Sequence, residues 1–147
     1  MTPLTDAFKI NALVNHPAIR EHTLMGFEGD IDLTPVIESG QALFFGDERG
    51  GFLMHNKGQG VWDAHTQFLP ETDKRGIMTM IAEVKRHMFC KTDCIMLTTF
   101  VEHTNKPALF LALRAGFRKF RETEMLGHAG LLLTFTVKDW TRSLCQQ

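Results

Sequence analysis

The 147-residue sequence predicts an α/β fold, a mixed and mostly antiparallel sheet flanked by helices. Three observations predict it. Three short apolar segments, QALFFGD, GGFLMHN and GVWDAHTQFL, follow one another across the Gly-containing connections ERG and NKGQ, the pattern of consecutive hairpins. From Arg75 the apolar period switches to helical, with Ile77, Met80, Ile81, Val84 and Met88 on one stripe and Glu83, Lys85 and Arg86 off it. Beyond that helix the sequence reads strand, helix, strand, strand. The expected order is therefore helices, a three-strand meander, helix, strand, helix, two strands.

Each element has a local reason. Thr5 is a candidate cap for a helix over Thr5–Val14, with Phe8, Ala12 and Leu13 on its apolar stripe. Asn15-His16-Pro17 breaks it, because the residue before proline avoids the helical region. Pro17 suits the first turn of a short helix to His22. The acidic, turn-rich stretch from Gly26 to Gly40 is expected to be mostly loop. The three strands of the meander come next, and then the helix from Arg75. CIMLTTFV is the following strand, and a helix from Pro107 to Arg114 ends at Gly116, a residue suited to the left-handed position after a helix. Strands near Arg118–Glu124 and Leu131–Lys138 complete the chain.

Composition narrows the function. The length suits one domain, residues 1–147, with a core that needs no disulfide or metal. Twelve Phe, two Trp and no Tyr exclude any mechanism that requires a phenol. A net charge of −1 argues against a generic nucleic-acid binder. The three cysteines, Cys90, Cys94 and Cys145, suggest no disulfide framework. The opening MTPLTDAFKI lacks the charged and apolar regions of a signal peptide, and no apolar run approaches the roughly 20 residues of a membrane span. A reduced, cytoplasmic protein without a membrane partner is expected.

The second half carries more specific residues. FLPETDKRGIMTMI runs from a strand ending at Pro70 into a helix opening at Arg75-Gly76, and 30 residues beyond Arg75 stands Asn105 in VEHTNKPALFLALRAGF. This ordered pair resembles the GNAT acyltransferase superfamily, with its RGxG-type loop and later N-x-x-A…GF segment, best from about Val61 to Phe120. The front, NALVNHPAIR, is similar to short GNAT-like proteins of phages and prophages, which would place the chain in a bacterial host cell. The resemblance implies a GNAT-like sheet and acetyl-CoA as co-substrate, with no metal. Its pyrophosphate would lie on the unpaired N–H groups at the helix start, where the helix dipole is positive and Lys74 and Arg75 add charge. The implied cofactor contacts are Phe68, Leu69, Lys74, Arg75, Gly76, Ile77, Met78 and Asn105. The chain departs from the family's [QR]-x-x-G-x-[GA] pattern. With Arg75 first, Met78 and Met80 fall where small residues belong; with Gly76 and Met78 in the small places, Asp73 replaces the basic or amide residue.

Acetyl transfer to an amine needs a base, a polarised thioester and a stabilised leaving thiolate. His65 is the candidate base, since strand alternation puts it on one face with Val61, Asp63 and Gln67, and an imidazole titrates near neutrality. Asp63 would orient it. Polarisation would come from a backbone N–H near Gln67–Leu69. The acid of many GNAT enzymes is a Tyr seven residues after the Asn, and here that position is Ala112, so water, His or Cys must serve or the role is absent. His55 and His103 are weaker candidates for chemistry. His87, Cys90 and Cys94 make a poor zinc pattern, and Met78, Met80 and Met88 read as core filler. FRKFRE, with Arg118, Lys119 and Arg121, reads as a solvated strand. The expected function is an acetyl-CoA-dependent N-acetyltransferase acting on a primary amine of a small molecule or a protein. The alternative is a non-catalytic GNAT-fold phage assembly or interaction protein. GNAT relatives leave a homodimer through the late strands open.

Overall fold

A computed structural model describes residues 1–23 and 29–146. Its elements in chain order are α1 (Ala7–Val14), α2 (Pro17–Thr23), α3 (Thr34–Glu38), β1 (Ala42–Asp47), β2 (Gly50–Gly58), β3 (Val61–Phe68), α4 (Lys74–Lys91), β4 (Met96–Glu102), α5 (Lys106–Arg114), β5 (Arg118–Met125), β6 (His128–Thr136) and α6 (Val137–Cys145). The strands form one mixed sheet in the order β1-β2-β3-β4-β6-β5. β1–β2, β4–β6 and β5–β6 are antiparallel, whereas β3–β4 is parallel. The expected fold class holds. Two compact units are distinguished, Met1–Asn56 with Ala64–Val84 and Lys57–Asp63 with Lys85–Gln147.

In unit 1, α1 is capped by Asp6, whose Oδ1 accepts from the Lys9 N–H at 3.2 Å, and not by Thr5. Phe8 is 84% exposed and Ala12 is exposed, while Ile10 and Val14 are buried against Phe44, with Leu4, Leu13 and Leu53 around them. The face at positions 10, 13 and 14 wins because those side chains, one helical turn apart, meet the sheet. Asn11 and Asn15 then act as a polar clamp. The Asn15 amide exchanges hydrogen bonds of 2.7 Å with the backbone of Ile31, and Asn11 Oδ1 accepts from Leu33 N–H at 2.7 Å. The clamp orders the acidic stretch and leads it into α3, a helix where loop was expected, with Pro35 pre-set for its first turn. Positions 26–28 of that expected loop lie outside the described residues.

The β1–β2 hairpin ends in Glu48-Arg49, and its tip is glycine for a reason. Gly50 has φ of +123°, and a Cβ there would stand 2.0 Å from the Gln67 carbonyl oxygen and 2.6 Å from Phe68 Cα. Only glycine lets the tip lie on the end of β3. The stripe on α4 is buried as expected through Ile77, Met80, Ile81 and Val84 in this unit.

In unit 2, β3 pairs with β4 over only three residues, Val61↔Met96 to Asp63↔Thr98. The core is Leu97, Val101, Met88, Leu133 and Phe135. Gly116 ends α5 at φ +94°, with Phe117 N–H donating to Ala112 carbonyl at 3.1 Å and Gly116 N–H to Leu113 carbonyl at 3.0 Å. That is the paired-bond ending in which a left-handed residue satisfies the last carbonyls. The strand expected to run to Lys138 stops at Thr136. There Thr136 Oγ1 accepts from Asp139 N–H at 3.2 Å and Asp139 Oδ2 accepts from Thr136 N–H at 3.0 Å, a capping box that opens α6. This last helix was not expected, although Thr136-x-x-Asp139 carried its signal.

Candidate functional site

The link from β3 to α4 is built entirely within unit 1. Leu69 N–H donates to the Arg49 carbonyl at 2.9 Å, and Thr72 N–H turns back to the Leu69 carbonyl at 3.1 Å. Thr72 Oγ1 also donates to the Arg49 carbonyl, at 3.4 Å. The hairpin tip and the link are thereby tied together. Asp73 begins the helix: its carbonyl accepts from Ile77 N–H at 3.1 Å and its Oδ1 accepts from Arg75 N–H at 3.3 Å. Such a start leaves the remaining first-turn N–H groups without partners inside the helix.

Lys74 and Arg75 stand exposed on that first turn. Arg49 joins them, with Nη1 3.5 Å from where a Gly76 Cβ would be. Its guanidinium is held by Asp47, through Nη2–Oδ2 at 2.6 Å and Nε at 3.1 and 3.2 Å from the two oxygens. The same pair holds the Asp47 carboxyl below its usual range and raises Arg49 above its own. Arg49 was not among the expected site residues. Its neighbours in sequence carry no signal for it, since only the close approach at Gly50 brings it to α4. Gly76 is half-buried, Ile77 is buried in the core and Met78 is half-buried. Within the first turn, the charge that opposes an anion is the Asp73 carboxylate.

The expected catalytic residues divide between the units. His65 is half-buried in unit 1. Asp63 belongs to unit 2 and is buried, and its Oδ1 accepts from Thr98 Oγ1 at 2.8 Å, directly across the parallel ladder. Gln67 is 4% exposed, and no hydrogen-bond partner for its Oε1 exists among the described residues. A buried acceptor without a donor is costly and marks a place for a ligand group or water. Phe68 packs edge-on against Phe52, with ring centroids 5.1 Å apart. Of the three backbone N–H groups expected to polarise a carbonyl, that of Leu69 is already committed to Arg49.

Asn105, in unit 2, caps α5 by accepting from Ala108 N–H at 3.2 Å. Ala112 is half-buried on the same helix. Cys94 is buried and its thiol is pushed up to about 12 by that burial, so it is neither acid nor nucleophile near neutrality. His103 lies 3.7 Å from Glu122. Among the described residues no three His, Cys, Asp or Glu side chains gather as a metal site, and no helix is long and apolar enough to cross a membrane.

No protein-family profile and no curated protein matches the sequence. Solved structures do match in fold. A spermidine N-acetyltransferase from Vibrio cholerae, in complex with CoA and spermine, superposes with a TM-score of 0.74 at 14% identity, covering 95% of both chains. A ribosomal-protein-S5-alanine acetyltransferase from Vibrio fischeri gives 0.69 at 15% identity, over 92% of this chain and 90% of the other. An aminoglycoside acetyltransferase in complex with coenzyme A and kanamycin gives 0.68 at 14% identity, over 98% and 96%. The fold of this chain is that of the GNAT acetyltransferases.

Proposed function

We propose that the chain is an acetyl-CoA-dependent N-acetyltransferase that acetylates a primary amine of a small molecule or a protein. One observation carries the proposal: the hairpin tip and the β3–α4 link are locked so that Arg49, Lys74 and Arg75 surround the open first turn of α4. Backbone N–H groups at a positive helix end with three cations fit a pyrophosphate. The CoA complexes among the similar folds support the same ligand. Asp73 is the one group that does not fit, and its charge weakens the hold.

Acetyl-CoA supplies the acetyl thioester. The chain supplies the rest. Lys74, Arg75 and Arg49 bind phosphate oxygens and Gly76 presents its backbone N–H, while Ile77, whose N–H is spent on the Asp73 carbonyl, and Met78 continue the turn behind it. The Gln67 or Phe68 N–H polarises the thioester oxygen. His65 takes the proton from the acceptor ammonium, and the buried Oε1 of Gln67 receives an acceptor N–H. Asp63 fixes its own part of β3 by accepting from Thr98 Oγ1. Asn105 fixes the start of α5 through the Ala108 N–H. The whole chain acts as one domain, and an origin in a phage or prophage, with a bacterial cytoplasm as its setting, belongs to the same reading.

Calorimetric titration with acetyl-CoA tests the proposal. Binding below about 1 mM is expected, and absence of binding at millimolar cofactor ends it in favour of the non-catalytic alternative. His65→Ala is expected to lower turnover by about 10²–10⁴-fold with acetyl-CoA affinity retained. Unchanged turnover would remove His65 from the mechanism.

A further inference from the structure

A second group of cations, sharing no residue with the first turn of α4, lies in unit 2. A cavity of about 340 Å³ opens where α5 ends, and Lys85, Arg114, Arg118 and Arg142 line it with Asp139 as the single carboxylate among the lining residues. Lys85 is half-buried on α4; its Nζ donates to the Ala115 carbonyl and sits 4.0 Å from the centroid of the Phe135 ring. Burial pushes its ammonium down to about 8, against the pull of Asp139. Arg114 is in the last turn of α5 and Arg142 in the last turn of α6, and both are exposed.

Local needs do not account for four cations. Asp139 is spent twice: Oδ1 accepts from Arg118 Nη2 at 2.5 Å and Oδ2 from the Thr136 N–H at 3.0 Å. Among the described residues, no carboxylate lies at ion-pair distance from Lys85, Arg114 or Arg142, and Lys85 feels Asp139 only from farther off. The ends of α5 and α6 each offer roughly half a negative charge. Among the described residues, Asp139 and two helix ends together leave about two positive charges uncompensated around the cavity. Arginine forks match planar or tetrahedral oxyanions through paired N–H donors. The volume falls at the small end of ligand cavities, roughly 300–1,000 Å³.

We infer that this cavity is a binding site for a small polyanion carrying at least two oxyanion charges, gripped by Arg114 and Arg142 with Lys85 at its base. Phosphoryl and carboxylate groups share that chemistry. The inference stands apart from the acetyltransferase proposal and does not need it.

Calorimetry at low salt on Lys74→Ala/Arg75→Ala, which weakens the pyrophosphate site proposed at the start of α4, takes inorganic pyrophosphate in one arm and citrate in the other and distinguishes the two sources. Binding of at least one is expected below about 1 mM, weakened by about tenfold or more in Arg114→Ala/Arg142→Ala. Arg142→Lys keeps the charge but not the fork and is expected to fall between. Both arginines are exposed, so the variants should melt with the wild type, and the melting curve checks this. No heat from either anion at about 10 mM overturns the inference. So does binding that stays as tight once Arg114→Ala/Arg142→Ala is added.

Discussion

The two cation clusters of this chain are built in opposite ways. At the first turn of α4 the cations are exposed, the N–H groups of a helix start stand among them, and carboxylates are woven in: Asp47 grips Arg49 and Asp73 caps the helix. At the ends of α5 and α6 the Gly116, Phe117 and Gln146 N–H groups are spent on helix carbonyls, cationic side chains line the cavity, and Lys85 is half-buried. The first cluster depends on the backbone and is fragile to anything that moves the hairpin. The second depends on charge left unmatched around a cavity. A helix N-terminus binds anions through geometry, whereas two helix C-termini can be made to bind one only by outnumbering their own negative ends with cations.

The largest effect is expected from Gly50→Ala. Its Cβ would meet backbone at 2.0 Å from the Gln67 carbonyl oxygen, at a φ of +123° that side chains rarely adopt. A loss of about 3 kcal/mol or more is expected, read as a lower urea midpoint. A variant as stable as the wild type would mean that the hairpin tip is not locked to β3.

Lys74→Ala/Arg75→Ala comes next. Acetyl-CoA affinity is expected to fall about tenfold to fiftyfold by titration. Retained affinity would reduce the first cluster to a solvated helix cap. Asp73→Asn sharpens the same point with the opposite sign. Asparagine caps a helix as well as aspartate does, so removing the charge should tighten acetyl-CoA by about threefold to tenfold. Weaker binding would show that the carboxylate helps rather than opposes the ligand.

The smallest effect concerns the second cluster. Lys85 has its pKa lowered from 10.5 to about 8 by burial. Between those values the unfolded chain holds more protons than the folded one, so this group makes stability rise as pH climbs from about 8 to 10.5. Cys94, raised from 9.0 to about 12, works the other way above pH 9. Comparing Lys85→Met with the wild type isolates the lysine: denaturant midpoints across that range should rise less steeply in the variant. Parallel curves would remove Lys85 as a source of pH dependence.

Much of the fold was legible because its elements announce themselves locally. The helical stripe of α4, the glycine after α5 and the three-strand meander are short-range patterns, and each stands where expected. The errors came where two local readings competed. Thr5 and Asp6 are both good caps, and only packing against Phe44 decides which face of α1 is buried. α3 forms because Asn11 and Asn15, on another helix, order the chain before it. α6 was missed although its capping box was in plain view, because its Val137 and Lys138 read equally well as a continuing strand.

The candidate site divides along the same line. Lys74, Arg75, Gly76 and Asn105 could be picked out because a strand-to-helix link and a helix cap are local features. Local patterns set the order from β1 to β6, the missing tyrosine with Ala112 in its place, and the basic start of α4. Tertiary structure alone decided that Arg49 stands over Gly76, that Leu69 spends its N–H on the hairpin, and that Lys85, Arg114, Arg118 and Arg142 line one cavity. Local propensity and periodicity act over a few residues. Charge and hydrogen-bond partners separated by 20 to 57 positions meet only once the backbone has closed around them.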